Sequence, residues 1–202
     1  MRVLVLGAGG HARPVIEALR ATGAEIIGLL DDAEAAPLLG VPRLGPMAAL
    51  AGHAAAGVGA VVAIGDNATR AGLAGQCRAQ GLALPALVHP AALVSPSARI
   101  AEGAQVMARA VIGPLAAIGA LALVNTGAIV EHDATVEEAA HVAPGAVLCG
   151  FVRIGARALV GAGAVVQPGL VVGADARIAG GAAVACAVPP GATVGGVPAR
   201  PI

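Results

Sequence analysis

Val124–Gly150 reads VNTGAIVEHDATVEEAAHVAPGAVLCG. Val124, Val130, Val136, Val142 and Leu148 fall six residues apart, and four residues after each comes a small or aliphatic residue, nearly always Ala. The same beat extends outward from Val88 to Val184 without a miss, through Val94, Ile100, Val106, Ile112 and Ile118 on one side and Ile154, Val160, Val166, Val172 and Ile178 on the other. A fixed short period marks a chain that winds coil upon coil. One inward aliphatic per hexad predicts a parallel β-helix of triangular cross-section. Each hexad makes one short strand and one corner, and three hexads make a coil. The hexads then give a prism roughly 25 Å long at about 4.8 Å per coil. Residues 18 apart sit one above the other. Gly150 therefore lies next to His132, and Pro144, Ala162 and Gly180 form a column on another edge. Small side chains there leave room for a long, thin ligand.

Composition narrows the function classes. The chain has 202 residues and a single aromatic, Phe151, so the core must be built from Val, Ile, Leu and Ala. Its 12 basic residues are all Arg and formal net charge is zero, which gives no electrostatic case for nucleic acid or an anionic membrane. Cys77, Cys149 and Cys186 form neither a metal motif nor a disulfide framework, and point to a reducing, cytoplasmic setting. Met1–Leu6 runs straight into a Gly-rich loop and does not read as a signal peptide. Ala110–Val130 is uncharged and long enough for a membrane span, but Gly113, Pro114, Gly119, Asn125 and Gly127 interrupt it and the six-residue beat continues through it. It reads as coils.

The first half reads differently. Arg2–Leu6 is a strand, followed by Gly7-Ala8-Gly9-Gly10 and a helical pattern from His11 to about Thr22. Glu25–Leu30 is a second strand ending in Asp31-Asp32, and Ala60–Ile64 a third, ending at Gly65-Asp66-Asn67. A helix from about Ala68 to Gln80 and a short strand near Leu84–Val88 complete it; residues 33–58 are Ala-rich and carry no clear pattern. Alternating strand and helix predicts a small parallel sheet. Gly7, Gly9 and Ala12 fit a loose G-x-G-x-x-[G/A] pattern with acids after the second strand. That suits NAD or a nucleotide-sugar diphosphate, since bare N–H groups at a helix N-terminus face phosphate. A tight turn that needs Gly for steric reasons is the plain alternative.

Polar residues are scarce in the solenoid, and the densest cluster is Asn125-Thr126, Glu131-His132-Asp133, Glu137-Glu138 and His141. His132 is the third residue of its hexad, at a corner, so its ring points outward. A flanking carboxylate strengthens an imidazole base and fixes its tautomer. Gly150, one coil on, can offer a backbone N–H to a developing oxyanion. Together these make a base and an oxyanion donor at acyl-transfer spacing; the alternative is a solvated histidine among acids. His141 falls at a different corner. The other histidines, His11, His53 and His89, lie outside the central coils, so no metal site is expected.

These residues resemble the sugar acyltransferases of the NeuD/PglD type. The resemblance rests on Gly7-Ala8-Gly9-Gly10-His11, Leu30-Asp31-Asp32, Ile64-Gly65-Asp66-Asn67 with Arg70, and Leu87-Val88-His89-Pro90. In the solenoid it rests on Asn125 through Asp133, His141 through Gly150, and the tail Gly196-Val197-Pro198-Ala199-Arg200. It implies an α/β, Rossmann-like domain over residues 1–87 that binds a nucleotide sugar, and an all-β, left-handed parallel β-helix over residues 88–202. It implies acetyl transfer from acetyl-CoA, without a metal, to the amino group of a nucleotide-linked sugar. His132 matches the general base, Asp133 the acid that supports it (Glu131 is a second candidate), and Gly150 the backbone donor at the thioester carbonyl. His141, Ala162 and Gly180 match coenzyme-contacting positions. Gly9, Gly10, His11, Asp31, Asp32 and Gly65 match positions that hold the nucleotide sugar, with Asn125 near the sugar. It also implies a homotrimer with active sites between protomers. O-acetylation of a sugar hydroxyl, as in sialic acid modification, and a non-catalytic nucleotide-sugar-binding solenoid remain as alternatives. Val136-Glu137-Glu138-Ala139 departs from the family's usual aliphatic-Gly-acid start.

Overall fold

The computed structural model describes residues 1–34, 36–53 and 57–202. The N-terminal half holds a parallel sheet in the order β3-β2-β1-β4, built from β1 (Arg2–Leu6), β2 (Glu25–Leu30), β3 (Arg43–Gly45) and β4 (Val58–Val62). Helix α1 (Ala12–Ala21) follows β1, and α3 (Asn67–Ala79) follows β4. On α1, Ala12, Val15, Ile16, Ala18 and Leu19 form one buried stripe at helical spacing. Asp66 caps α3 by accepting from the Thr69 N–H at 2.8 Å.

Three expectations shift. The third apolar strand starts at Val58 rather than Ala60, because Gly59 and Ala60 already pair with Val3 and Leu4 of β1. Within residues 33–58, of which residues 35 and 54–56 lie outside the described set, the chain forms β3, a 3₁₀ turn at Met47–Ala49 and α2 (Leu50–His53). Strand β3 has no continuous apolar run, and its pairing with β2 positions it. The strand near Leu84–Val88 is β5 (Leu87–Val88), and it pairs with Gln105–Val106 of the solenoid instead of joining the N-terminal sheet.

The second half is a left-handed parallel β-helix. Its seventeen two-residue strands run from β5 to β21 (Ala183–Val184). Successive strands fall on three sheets in turn, beginning with β5, β6 (Leu93–Val94) and β7 (Arg99–Ile100). Partners are 18 residues apart, as with Leu123↔His141 and Val124↔Val142. The beat breaks only at the end, where Val172 bridges Val188 and Arg177 pairs with Thr193. The aliphatic series and the Ala four residues on form one fully buried core from Ala104 onward.

The corners share one conformation. Every sixth residue from Gly103 to Gly181 has φ between 53° and 73°. Several are not Gly, including Leu115, Leu121, Asp133 and Phe151, although a left-handed L-residue costs about 1–2 kcal/mol. The corner ladder offsets this: the Asp133 N–H donates to the Pro114 carbonyl at 3.0 Å, and the Phe151 N–H to that of His132 at 3.1 Å. The departure at Glu137-Glu138 leaves this geometry intact. Ala139 takes the left-handed position, and Glu137 accepts from Arg153 and from the Ala156 N–H.

One of the three faces, the sheet of β5, β8 (Gln105–Val106), β11 (Leu123–Val124) and β14 (His141–Val142), docks on the N-terminal half. Leu87, Met107 and Leu123 pack with α1 and β1, while Leu121 and Ala139 pack with residues of β4 and α3. Arg70 locks the joint. It is fully buried, and its five guanidinium N–H groups reach five acceptors. These are the carbonyls of Leu121 (2.9 Å), Ala139 (2.8 Å), Ile64 (3.1 Å) and Gly65 (3.0 Å), and Asn67 Oδ1 (2.8 Å). Burial without a paired carboxylate pulls the guanidinium down to about 10.

Candidate active site

The edge between the β6 and β7 faces carries His132. The left-handed turn at Asp133 (φ 57°) brings its carboxylate back beside the preceding imidazole, so Asp133 Oδ2 lies 2.9 Å from His132 Nδ1. Nδ1 then carries the proton, and Nε2 is left as the basic nitrogen. Glu131 is exposed and makes no such contact among the described residues. The ring is half-exposed and lies directly over Gly150: a Cβ built on Gly150 would stand 2.6 Å from both Cε1 and Nε2. Gly is therefore required to seat the imidazole. Phe151 meets the ring edge-on at 5.2 Å between centroids. Among the described residues no acceptor takes the Gly150 N–H, although the neighbouring Cys149 and Phe151 N–H groups are both bonded. A base and a free backbone donor thus stand on one edge, as the spacing of 18 predicts.

Pro144, Ala162 and Gly180 stack on the edge between the docking and β6 faces. Gly163 and Gly181 donate to the carbonyls of Pro144 and Ala162 at 3.0 and 2.8 Å, and all three column residues are exposed. Asn125 lies on this edge too. His141 does not occupy a corner as expected: it begins β14 and sits on the docking face. It belongs to an 18-spaced column of outward residues, Leu87, Gln105, Leu123, His141, Leu159 and Arg177. Asn125 Nδ2 lies 3.2 Å from its Nε2. Burial, then the positive charge of Arg70 and, once acid protonates it, of His11, holds its imidazole down to about 4. It opens on a cavity of about 160 Å³ whose lining includes Gly65, Asn67, Arg157, Asp175 and Arg177.

The N-terminal residues divide into two groups. Gly7 has φ +110° and packs on Ile64, so there the tight-turn reading applies. Gly9, Gly10 and Gly65 are exposed, and a Cβ on any of them would meet nothing. Open space over bare backbone before α1, at Gly9 and Gly10, and before α3, at Gly65, suits close approach of a phosphate or sugar. Asp31 is engaged within the fold: Oδ2 accepts from the Ala8 N–H at 2.6 Å and Oδ1 from the Ala33 N–H at 2.8 Å. Asp32 accepts from the Met47 N–H at 2.9 Å. Both acids shape the glycine loop and the turn after β2. His11, at the N-cap of α1, meets Gln105 Oε1 at 2.9 Å. Its imidazole is lowered by burial, which outweighs that bond.

The sequence reading missed Gln105, Arg157, Asp175 and Arg177. The 18-residue ruler, applied to the residue before each inward aliphatic, exposes Gln105 and Arg177 in the His141 column. Arg157 and Asp175 are likewise 18 apart and pair at 2.7 Å. Among the described residues no three His, Cys, Asp or Glu side chains gather as a metal site, and no helix is long and apolar enough to cross a membrane.

Comparison with known proteins extends this geometry. The model of the PglD N-terminal domain matches residues 2–76. A histidine mutant of perosamine N-acetyltransferase from Caulobacter crescentus, solved with CoA and GDP-perosamine, is 40% identical; the match covers 100% of this chain and 97% of that one, with a TM-score of 0.97. The acetyltransferase domain of PglB from Neisseria gonorrhoeae, solved with acetyl coenzyme A, is 37% identical over 100% of this chain and 98% of that one, with a TM-score of 0.96. WeeI from Acinetobacter baumannii is 25% identical over 100% of both chains, with a TM-score of 0.92. The search of curated proteins finds no match.

Proposed function

The chain belongs to the NeuD/PglD-type family of sugar acyltransferases, and on that premise we propose that it transfers the acetyl group of acetyl-CoA to the amino group of a nucleotide-linked amino sugar. The observation that carries the proposal is the seating of His132, tied to Asp133, against Gly150, whose N–H finds no acceptor among the described residues. His132 Nε2 takes a proton from the attacking amine as the C–N bond forms. The Gly150 N–H donates to the carbonyl oxygen as it becomes an oxyanion, and Asp133 holds the imidazolium. As the C–S bond breaks, the same imidazole returns the proton to the leaving thiolate.

Binding roles follow the two exposed surfaces. Residues 1–87 take the nucleotide sugar at Gly9, Gly10, His11 and Gly65, with Asp31 and Asp32 shaping that loop. Residues 88–202 take the coenzyme along Ala162 and Gly180 with His141 beside that edge, and Asn125 lies near the sugar. Both substrates and the free cysteines suit the cytoplasm.

The edge of His132 is opposite the docking face, so the base and the glycine loop of one chain lie a prism width apart. We infer a homotrimer in which the His132 edge of one protomer meets the Ala162 edge of the next, a closed head-to-tail ring. The exposed Leu115, Phe151 and Val165 suit burial there.

Thiol release from acetyl-CoA, assayed with UDP-, GDP-, TDP- and CMP-linked amino sugars and their hydroxy counterparts, tests the activity. Turnover with an amino sugar is the expected result. Turnover confined to hydroxy sugars would mean O-acetylation, and binding without thiol release would mean a non-catalytic solenoid. Light scattering tests the trimer. Mixed trimers of His132→Ala and Gly9→Val chains should regain activity that neither variant has alone, and failure to regain it would refute a shared site.

A further inference from the structure

Two side-chain amides face two imidazoles on the docking face, and backbone partners force the orientation of both amides. Gln105 is 1% exposed. Its Nε2 donates to the Val62 carbonyl at 2.7 Å. A carbonyl only accepts, so the amide nitrogen must point there, and Oε1 is what faces His11 Nε2. Oε1 only accepts in its turn. His11 therefore carries its proton on Nε2 and leaves Nδ1 as a bare acceptor. Asn125 acts in the opposite sense. Its Oδ1 accepts from the Thr126 N–H at 2.8 Å, which pins the oxygen and turns Nδ2 toward His141 Nε2. An amide nitrogen only donates, so His141 accepts at Nε2 and carries its proton on Nδ1.

Both rings are neutral at neutral pH, for the burial and charge reasons given above. Neither Nδ1 has a hydrogen-bond partner among the described residues. The free nitrogens are thus of opposite character, one acceptor and one donor, one on each of the two halves that the buried Arg70 ties together.

We propose that Gln105 and Asn125 are positioning residues that lock His11 and His141 in opposite neutral tautomers, so that the joint between the two halves presents a ring acceptor at His11 Nδ1 and a ring donor at His141 Nδ1–H. The acceptor fits a hydroxyl or N–H of the nucleotide sugar. The donor fits a carbonyl or phosphate oxygen. The contribution to binding rests on the reading of His11 as a nucleotide-sugar contact; the tautomers do not. A flipped ring would set donor against donor or lone pair against lone pair at a desolvated site, which costs more than the lost bond alone.

Nitrogen-15 spectra of the histidine rings read the tautomers directly, and with five histidines in the chain each ring can be assigned. The intact protein should show His11 as the Nε2–H form and His141 as the Nδ1–H form. Asn125→Asp swaps donor for acceptor at nearly constant shape and should move the proton of His141 to Nε2. Gln105→Met should release His11 into a mixture of forms and raise KM for the nucleotide sugar roughly tenfold, with a smaller change in kcat. An Nδ1–H form of His11 in the intact protein, or spectra unchanged in both variants, would overturn the proposal. Should Gln105→Met fail to fold, the intact protein and Asn125→Asp still decide it. Should acetyl transfer be absent while the tautomers stand as stated, the proposed function fails and the lock remains.

Discussion

Gly150→Ala is the sharpest perturbation of the proposed chemistry, because its effect can be worked from one distance. The new methyl group would stand 2.6 Å from both Cε1 and Nε2 of His132. Ordinary contact begins near 3.4 Å, so the imidazole must withdraw by about 1 Å, a misplacement that costs roughly 100-fold in rate. The ring is also held by edge-on contact with Phe151 and by the 2.9 Å bond to Asp133, and withdrawal disturbs both. The backbone itself accepts Ala, since Gly150 has no positive φ. Stability should change little because the displaced ring is half-exposed. Steady-state thiol release with both substrates saturating should therefore show kcat lowered about 100-fold, with the unfolding midpoint within a few degrees of the parent. If kcat stays within about threefold, the imidazole over Gly150 does not take part in the chemistry and the proposed mechanism fails.

Other outcomes follow from the same structure. His132→Ala should lower kcat by about 10²–10⁴ while coenzyme affinity, read by calorimetry, stays near the parent value. Arg70→Met leaves the Leu121 and Ala139 carbonyls without their donor, and should cost about 3–5 kcal/mol, seen as a fall of roughly 10 °C in unfolding temperature; a fall of only a degree or two would contradict its place as the clamp. Acid should weaken the fold through His141. Its folded value of about 4 lies below its ordinary 6.5, so the unfolded chain takes up the proton first. This contribution is complete above pH 6.5 and fades as pH falls toward 4, by on the order of 3 kcal/mol. Arg70 and His11 act on the ring by charge, Asp66, Arg157, Asp175 and Arg177 line the cavity it opens on, and denaturant titrations of His141→Gln across that range should show a shallower slope.

Particular residues show what the sequence made legible. Val124 to Leu148 at six-residue intervals specified strands, corners and inward positions because each strand finds its partner 18 residues away and every coil repeats the same local rule. The neighbourhood of His132 and Gly150 could be read from counting alone. Asp133 emerged over Glu131 through the left-handed corner, which only the folded chain reveals. The strand at Arg43–Gly45 stayed hidden, since it is held by pairing with β2 rather than by any pattern of its own.

By itself, the sequence determined the β-helix, its register and the edge that carries His132, because those contacts recur at one fixed separation and need no partner outside the repeat. It left the choice among three similar faces open. Tertiary structure decided that choice: Leu87, Met107 and Leu123 supplied apolar area, Arg70 reached carbonyls 51 and 69 residues away, and Gln105 reached His11 across 94. A buried polar group must find its partners wherever the chain brings them, and such pairings obey no period. For the same reason, the placement of His141 against the N-terminal half, with His132 on the far edge, became visible only once the two halves were joined.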